Sequence, residues 1–376
     1  MRIAIIREEV SFTKGGAERY AANLCNSLAG LGHEVCVLSA KFGSGLHESI
    51  RHVHITVNRL TSGSRTRSFH ENAQKALVGL NADRVFALSR SFPADAFRVS
   101  DPIHRFWMRI RYPNAVNRWL QTLNPRHRTI LKIEDAIFDP ANTRVIVTNS
   151  ELSKKIILEN HAFPAERIHV VYNGVDLKTF SPVTKDAVSN SQESGATGPK
   201  LLFVGQDFKR KGLGALVRAM GQLKEAGVAC QLRVIGRDRA EPYLELARSL
   251  GVAERIQFEG QSGKIQEAYR AADLLVFPSL YDPFANVCLE ALACGLPVLT
   301  TTTNGSSEVV TEGVDGYVVD GAELGLAERI TAKVSIFCAQ GSEQLQSMRE
   351  RARAKAERFT VEANAARIVE VLTATR

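Results

Sequence analysis

The sequence lacks any long hydrophobic run and contains few cysteines. No apolar stretch approaches the ~20 residues needed to span a bilayer, and the opening MRIAIIREEV has neither the long apolar core nor the small-residue cleavage site of a signal peptide. The six cysteines include no C-x-x-C pair, which argues against a disulfide framework or a structural zinc site. We therefore expect a cytoplasmic protein whose cysteines are buried thiols.

One segment lacks acidic residues altogether. Between Pro102 and Ile133 there is no Asp or Glu, yet this segment supplies seven cations to a chain of net charge +8, namely Arg105, Arg109, Arg111, Arg118, Arg126, Arg128 and Lys132. It also holds both tryptophans, Trp107 and Trp119. Basic residues interleaved with aromatic ones are typical of a segment that lies on an anionic membrane surface. We predict reversible membrane contact through 102–133, on the inner face of the cytoplasmic membrane.

Two other interpretations of this segment stay open. It also fits a partly buried helix pair with a solvated basic face. A nucleic-acid surface is the weaker alternative, because no recognised nucleic-acid module accompanies the charges. We expect no nucleic-acid partner.

Apolar runs of strand length alternate with helical stretches, and the alternation occurs twice. A chain of 376 residues exceeds what one core usually serves, and the pattern predicts two doubly wound α/β domains with parallel sheets. The first series is Ile3–Ile6, EVCVLS (34–39), VHITV (53–57), RVFALS (84–89), RVIVT (144–148) and IHVVY (168–172). The second is KLLFVG (200–205), QLRVIG (231–236), IQFEG (256–260), LLVFPS (274–279) and PVLTT (297–301).

A stretch rich in Ser, Gly and Ala separates the two series. We interpret residues 181–199 as a linker between a first domain over 1–180 and a second over 200–357. A helix over about 358–376 is expected to complete the first domain. Ligands of doubly wound sheets bind at the carboxyl ends of the strands, so the loops at those ends are the candidate sites.

The loop VGQDFKRKGL follows the first strand of the second series. It places Gly205, Arg210 and Lys211 just before a predicted helix. Two adjacent cations beside the free amides of a helix N-terminus form an anion site. The alternative is an ordinary solvated Arg–Lys pair.

The stretch FPSLYDPFANVCLEALACGLPVLTT holds two acids eight positions apart, Asp282 in a turn and Glu290 inside a helix. The turn is expected to lead into a helix whose first-turn residues, Phe284, Ala285 and Asn286, have unpaired amides, and Val287 is a further candidate binding residue. Ionised carboxylates accept several hydrogen bonds and therefore suit polyols. A glycosidase also needs two carboxyl groups, but it would not explain the cationic loop. An N-cap Asp with an ordinary helix Glu is the plainer alternative.

Four segments resemble glycosyltransferase family 4. FPSLYDPFANVCLEALACGLPVLTT resembles the family's nucleotide-sugar signature, and LLFVGQDFKRKGL resembles its diphosphate loop. GAERYAANLCNSLAGLGHEVCVLS resembles its first helix and second strand, and RVIVTNSELSKK with IHVVYNGVDLKTFSP resembles the end of its first domain. The resemblance covers nearly the whole chain and is strongest to lipopolysaccharide core glucosyltransferases and related cell-surface polysaccharide glycosyltransferases.

This resemblance implies the GT-B fold, in which two Rossmann-like domains face each other across a deep cleft. It implies a retaining, metal-independent hexosyltransferase that moves a hexose, expected to be glucose, from a UDP-sugar to a saccharide or glycolipid acceptor. Arg210 and Lys211 would neutralise the leaving diphosphate, Glu290 would hold the ribose, and Asp282 with the helix amides would hold the transferred sugar. No cofactor is expected, and the sequence has no Asp-x-Asp cluster to hold a metal beside a diphosphate.

The chain departs from the family pattern at two positions. Asp282 stands where most members have Glu, which leaves the sugar preference open. Gln206 stands where an Arg usually follows the strand's Gly, so Arg210 would have to supply that charge.

The first domain should supply the acceptor side. Gly15 and Gly16 would let the backbone come close to the ligand, although a simple loop is an equal alternative. Asp101 and His104 in RVSDPIHRFW are candidates to align or deprotonate the acceptor hydroxyl, although an Asp before Pro is commonly a turn former. The stretch NRLTSGSRTRS (58–68), which reads as a flexible loop with three arginines, could fold over an anionic glycolipid or oligosaccharide acceptor.

Two alternative functions stay open. One is a sugar-nucleotide epimerase or hydrolase on the same scaffold. The other is a membrane-associated sugar-nucleotide binding protein without turnover, which would need neither Asp101 nor the acceptor loop.

Overall fold

The computed structural model describes residues 1–182 and 198–375, which form two compact units. Unit 1 comprises Met1–Gly174 with the residues from Val361 onward, and unit 2 comprises Val175–Thr360. The central part of the predicted linker, 183–197, lies outside the described residues.

Unit 1 is built on a seven-stranded parallel sheet with the strand order β5-β3-β1-β6-β7-β8-β9, and β2 and β4 form a separate parallel pair. Short β-branched and apolar runs form the central strands because both faces of the sheet are covered there. The strands are β1 (Arg2–Ile6), β2 (Glu9–Val10), β3 (Glu34–Ser39), β4 (Lys41–Phe42), β5 (Arg51–His54), β6 (Arg84–Ala87), β7 (Ala94–Val99), β8 (Thr143–Thr148) and β9 (Ile168–Val170).

Six helices of unit 1 connect these strands. They are α1 (Gly16–Gly30), α2 (Ser62–Leu77), α3 (His104–Arg111), α4 (Ala115–Thr122), α5 (Pro125–Ile137) and α6 (Glu151–Asn160). The basic segment therefore folds as three short helices, α3 to α5, rather than as a helix pair. Asn114 and Asn124 cap α4 and α5 with side-chain hydrogen bonds to backbone amides, which explains why the segment breaks where it does.

Unit 2 repeats the plan with a six-stranded parallel sheet in the order β12-β11-β10-β13-β14-β15. Its strands are β10 (Lys200–Val204), β11 (Gln231–Ile235), β12 (Ile256–Gly260), β13 (Leu274–Phe277), β14 (Val298–Thr301) and β15 (Gly316–Val319). Its helices are α7 (Leu213–Glu225), α8 (Glu241–Ser249), α9 (Ile265–Ala271), α10 (Asn286–Ala293), α11 (Leu326–Cys338) and α12 (Ser342–Ala356).

The last helix, α13 (Val361–Ala374), belongs to unit 1 and packs against α1. Its Ile368 and Leu372 join the core of unit 1, and the Tyr20 hydroxyl donates to Asn364 Oδ1 at 3.0 Å. Burial of this apolar face stabilises the packing of α13 on α1 by about 25 cal/mol for each Å² of apolar surface removed from water.

Two expectations from the sequence, on membrane-spanning helices and on the cysteines, can be compared with this fold. In the described part of the chain, every helix is too short or too polar to cross a bilayer. Of the six cysteines, which are all free thiols, four are buried and two, Cys36 and Cys338, are half-buried.

Candidate active site

The loop after β10 is shaped by two residues in the left-handed backbone region. Asp207 has a φ of 59° and its carboxylate pairs with Arg210 Nε at 2.9 Å. Gly212 has a φ of 76°, and a Cβ there would lie 2.0 Å from the carbonyl oxygen of Pro278. Only glycine allows this close approach. It brings the start of α7 against the segment that follows β13.

Lys211 and Asp282 lie in direct contact as a result. The Lys211 ammonium donates a hydrogen bond to Asp282 Oδ2, and Arg210 Nη1 lies 3.7 Å from the same oxygen. Both members of the Lys211–Asp282 pair are nearly buried, with 12% and 10% of their side chains exposed. Burial lowers the pKa of Lys211, and the carboxylate of Asp282 opposes this effect by raising it. The predicted cations and the predicted acid therefore share one site.

Backbone hydrogen bonds hold Asp282 at the carboxyl edge of the sheet. Its amide donates to the Thr303 carbonyl at 3.1 Å, and its own carbonyl accepts from Gly305 at 2.9 Å. Both partners lie in the loop that follows β14. The carboxylate is thus fixed between two neighbouring strand ends, where open α/β sheets bind their ligands.

The predicted first helical turn needs a correction. Helix α10 begins at Asn286, and the two amides before it are already bonded: Phe284 N donates to Asp282 Oδ1 at 3.1 Å, and Ala285 N donates to Asn304 Oδ1 at 3.2 Å. Phe284 and Ala285 thus lie outside the helix, and their amides are bonded to the side chains of Asp282 and Asn304. The helix begins later than predicted because the side chains of Asp282 and Asn304 satisfy these donors. Val287 lies in the first turn of α10.

Asn304 is a site residue that the sequence analysis missed. It is fully buried, and its side-chain amide also donates to Thr300 Oγ1 at 2.8 Å. Asn304 therefore ties the start of α10 to the end of β14. The available signal was an Asn-Gly-Ser turn directly after a strand.

Glu290 lies on the wall of α10 and is 9% exposed. The buried Tyr269, on α9, donates from its hydroxyl to Glu290 Oε2 at 2.8 Å. Burial raises the pKa of Tyr269 well above its ordinary value, and the carboxylate of Glu290 raises it further. The phenol therefore stays protonated and orients the carboxylate, a role that the sequence did not reveal.

In unit 1 the glycine pair opens helix α1. Gly15 precedes the helix and Gly16 is its first residue. A Cβ on Gly15 would lie 2.9 Å from Glu18 Oε2, and Glu18 in turn pairs with Arg7 at 3.0 Å. The backbone there is close to a charged pair at the carboxyl edge of β1.

Asp101 and His104 follow β7 and have different surroundings. Asp101 is half-exposed and lies 3.4 Å from Arg90. His104 is buried, its Nε2 lies 2.9 Å from Nδ1 of His127, and its ring stacks on Trp107. Burial lowers the pKa of His104 to about 4, against the opposing effect of Glu134. His104 is therefore a neutral, packed imidazole at pH 7.

The prediction of a basic loop over 58–68 is wrong for most of that stretch, because α2 begins at Ser62. Thr61 and Ser64 form a reciprocal capping box, which starts the helix there. The first turn of α2 lies at the carboxyl edge of the sheet, since Arg65 pairs with Glu8, just beyond β1.

Within residues 1–182 and 198–375, no three His, Cys, Asp or Glu side chains are grouped in a way that would hold a metal ion. The positive charge next to Asp282 comes from Arg210 and Lys211.

Comparisons with known proteins place this geometry in a family. The family model "Glycosyl transferases group 1" matches residues 184–355, and the model "Glycosyltransferase Family 4" matches residues 14–179. The chain is 25% identical over 316 residues to the lipopolysaccharide glucosyltransferase WaaG of Escherichia coli K12, with 82% of each protein covered.

Solved structures agree on the fold. A crystal structure of WaaG, a glycosyltransferase involved in lipopolysaccharide biosynthesis, matches with a TM-score of 0.81 and 22% identity over 99% of this chain and 100% of the other. The Anabaena protein Alr3699/HepE in complex with UDP-glucose matches with a TM-score of 0.71 and 18% identity over 99% of both chains. Two matched domain models and a common architecture thus lead to one conclusion: the chain belongs to glycosyltransferase family 4 and has the GT-B fold.

Proposed function

We propose that this protein is a retaining, metal-independent hexosyltransferase that moves glucose from UDP-glucose to a saccharide or glycolipid acceptor of the cell envelope. The observation that carries the proposal is the convergence of Lys211, Arg210 and Asp282 at the end of β10 and β13. The likeness to WaaG favours a lipopolysaccharide-type acceptor, and the HepE complex favours UDP-glucose as the donor.

The chemical step follows from where charge develops. When the bond between the anomeric carbon and the phosphate oxygen breaks, the sugar becomes oxocarbenium-like and the nucleoside diphosphate gains negative charge. Preorganised donors aimed at that charge are typically the largest catalytic term, and one donor contributes about 3 kcal/mol. Lys211 and Arg210 are such donors. Family membership supports transfer with retention, by attack on the same face that the diphosphate leaves.

Asp282 has two functions in this proposal. In this structure its Oδ2 occupies the place between the two cations that a phosphate oxygen of the donor would take. On donor binding the cations shift their hydrogen bonds to the diphosphate, and the carboxylate becomes an acceptor for sugar hydroxyls. The pair therefore keeps Lys211 charged and oriented before the donor arrives, despite its burial.

Glu290 is proposed to accept hydrogen bonds from the ribose hydroxyls. Its carboxylate oxygen Oε2 is held by Tyr269, which fixes the orientation of the group. A preorganised carboxylate loses less conformational entropy when it binds a diol.

Asp101 is the proposed group that aligns or deprotonates the acceptor hydroxyl. Its half-exposed carboxylate is accessible, whereas His104 is buried against His127 and Trp107. His104 is better suited to hold the start of α3 in place than to exchange a proton with the acceptor.

The basic segment is proposed to contact the anionic inner leaflet of the cytoplasmic membrane. Helix α4 has no buried residue, and its Val116, Trp119 and Leu120 are at least half-exposed. Arg109 and Arg111 lie at the end of the neighbouring α3. Exposed aromatic and aliphatic side chains beside cations match an interfacial segment.

The test is an assay of the full chain with UDP-glucose and a lipid-linked saccharide extract. The expected result is an acceptor heavier by one hexose, with the anomeric configuration of the donor shown by NMR, and turnover that persists in EDTA. Release of UDP without any acceptor would favour the hydrolase. Binding of UDP-glucose without a product in any acceptor extract would favour the binding protein.

A further inference from the structure

A cavity of about 320 Å³ lies in unit 1 between helices α2 and α5. This volume is roughly ten times the ~30 Å³ that one water molecule takes in the liquid. The lining is basic and contains no Asp or Glu; it consists of Arg67, His70, Pro125, Arg128, Thr129, Lys132 and Ile133.

The spacing of these residues puts them on two facing helix surfaces. Arg67 and His70 are three apart on α2, while Pro125, Arg128 and Lys132 follow at the three- and four-residue intervals that share one face of α5. The helices pack closely near this point, since a Cβ on Gly63 would lie 3.6 Å from Thr129 Oγ1. The two helices are therefore in contact beside the cavity.

The three cations of the cavity lack counter-ions in the part of the chain that the structure describes. Arg67, Arg128 and Lys132 make no side-chain hydrogen bond or ion pair there. Two other arginines of unit 1 do: Arg65 pairs with Glu8, and Arg105 pairs with Asp135 at 2.6 Å. All three are exposed to solvent, and the positive field that they share attracts anions to the cavity.

His70 adds an oriented donor or acceptor to the lining. Its ring stacks on Phe92 with 4.4 Å between centroids, and its Nδ1 lies 3.3 Å from Ser91 Oγ. The nearest acid in sequence, Glu71, is exposed and does not line the cavity. The cavity therefore keeps its positive character.

We propose that this cavity binds a phosphate ester, with Arg128 and Lys132 on one side and Arg67 on the other. Phosphate is the anion that several convergent Arg and Lys donors suit best, because it accepts hydrogen bonds on at least three oxygens. The first turn of α2 reaches the carboxyl edge of the sheet through Arg65 and Glu8. The site can thus hold a phosphate on the acceptor, an assignment that rests on the proposed function for its use in transfer.

Two sources can present this chemistry, namely a phosphorylated saccharide acceptor and the headgroup of a membrane phospholipid. Binding of glucose 6-phosphate, with glucose as the unphosphorylated match, measures the first by calorimetry on the full chain at low salt. Co-sedimentation with phosphatidylcholine vesicles, with and without phosphatidylglycerol, measures the second.

The test variant is the double substitution Arg128→Gln and Lys132→Met. Its matched control is Arg126→Gln with Lys75→Met, which removes the same charge from exposed positions on α5 and α2 outside the cavity. We expect the test variant to lose affinity for glucose 6-phosphate by about tenfold, which corresponds to about 1.4 kcal/mol, and the control to stay within about twofold. Loss of vesicle binding in the test variant alone would assign the phosphate ester to the lipid.

Two results would overturn the proposal: equal affinity in the wild type and both variants, or equal losses in test and control, which would indicate only a diffuse positive field. Failure of the proposed transferase function can be distinguished from failure of the phosphate site. A chain that binds glucose 6-phosphate at this cavity but neither binds nor turns over UDP-glucose would keep the phosphate site and refute the transferase.

Discussion

Lys211 and Asp282, 71 positions apart in the sequence, form a nearly buried ion pair at the carboxyl edge of the second sheet. A buried pair of this kind contributes little net stability, because desolvation of both charges offsets their attraction. In the proposed mechanism, the pair keeps a cation charged and in place where the diphosphate binds.

The first prediction concerns this cation. Lys211→Met removes one donor to the developing charge, so kcat/KM should fall by about 10² to 10³, equivalent to about 3 to 4 kcal/mol. Lys209→Met is the matched control, since Lys209 is exposed two positions away in the same loop. Steady-state kinetics with UDP-glucose measure both. Equal activity in the two variants would refute the role of Lys211.

A second prediction separates orientation from charge at Glu290. Tyr269→Phe deletes only the hydroxyl that donates to Glu290 Oε2, which removes one of the contacts that orient the carboxylate. A neutral hydrogen bond contributes about 1 kcal/mol, so KM for the donor should rise about fivefold while kcat changes little. Tyr243→Phe, which removes a phenol hydroxyl elsewhere in unit 2, should change neither. A fall in kcat alone would contradict the ribose role.

Gly212 provides a test of the local backbone. Gly212→Ala forces a Cβ to within 2.0 Å of the Pro278 carbonyl, in addition to the left-handed φ. Gly227→Ala has a similar φ of 71° but nothing within 4 Å of its Cβ, so it should cost only about 1 kcal/mol. We expect Gly212→Ala to lower the free energy of unfolding by at least about 3 kcal/mol and to reduce donor binding. Similar melting temperatures for the two variants would show that the loop relaxes freely.

A fourth prediction concerns acid stability. The folded-state pKa of His104, about 4, lies below the ordinary value of 6.5, so between these values the unfolded chain binds more protons than the folded one. The stability that the neutral imidazole contributes is present above pH 6.5 and is lost as the pH falls towards 4. The melting temperature should therefore drop between pH 7 and pH 5, and the drop should be smaller in His104→Gln.

His47→Gln is the control for that experiment, because His47 is an exposed histidine of the same unit. The pH dependence of this variant should match that of the wild type. If His104→Gln also kept the wild-type drop, the acid sensitivity would have to come from other groups, such as His127, whose pKa is lowered by burial as well.

The last prediction concerns the membrane segment. Arg109→Ser with Arg111→Ser removes two cations, each of which contributes about 1 kcal/mol near an anionic surface. Affinity for phosphatidylglycerol vesicles should fall by about 30-fold, while KM for UDP-glucose stays unchanged. Arg351→Ser with Arg358→Ser, on and just after α12, is the control of equal charge. Loss of nucleotide affinity in the first variant would place the segment in the donor site instead.

The sequence predicted most strands to within three residues, because both faces of each sheet are covered and the strands read as short apolar runs. Strand β7 was not predicted, because Asp95 and Arg98 interrupt its apolar pattern. In the fold both have partners: Asp95 accepts from the Val85 amide at 2.8 Å, and Arg98 stacks over the Tyr20 ring at 3.6 Å. Strand β15 was not predicted from the sequence.

For the candidate site, the sequence identified residues whose chemistry is visible in a local motif. Lys211 and Asp282 each stand in such a motif, and the structure brings them together. Tyr269 and Asn304 could not be found in this way, because each acts through a partner that only the tertiary fold supplies. The roles of Glu290 and Asp101 stay predictions.

Unit 1 is assembled from two separate pieces of the chain, with α13 packed on α1 and Arg84 donating to the Leu372 carbonyl at 2.7 Å. All of unit 2 leaves the ribosome before α13 does. Unit 1 therefore cannot be complete until α13 has been synthesised, and until then the face of α1 that packs on α13 is uncovered. Unit 2 can already be complete by that time. The unit that begins first along the chain is thus the one that is completed last.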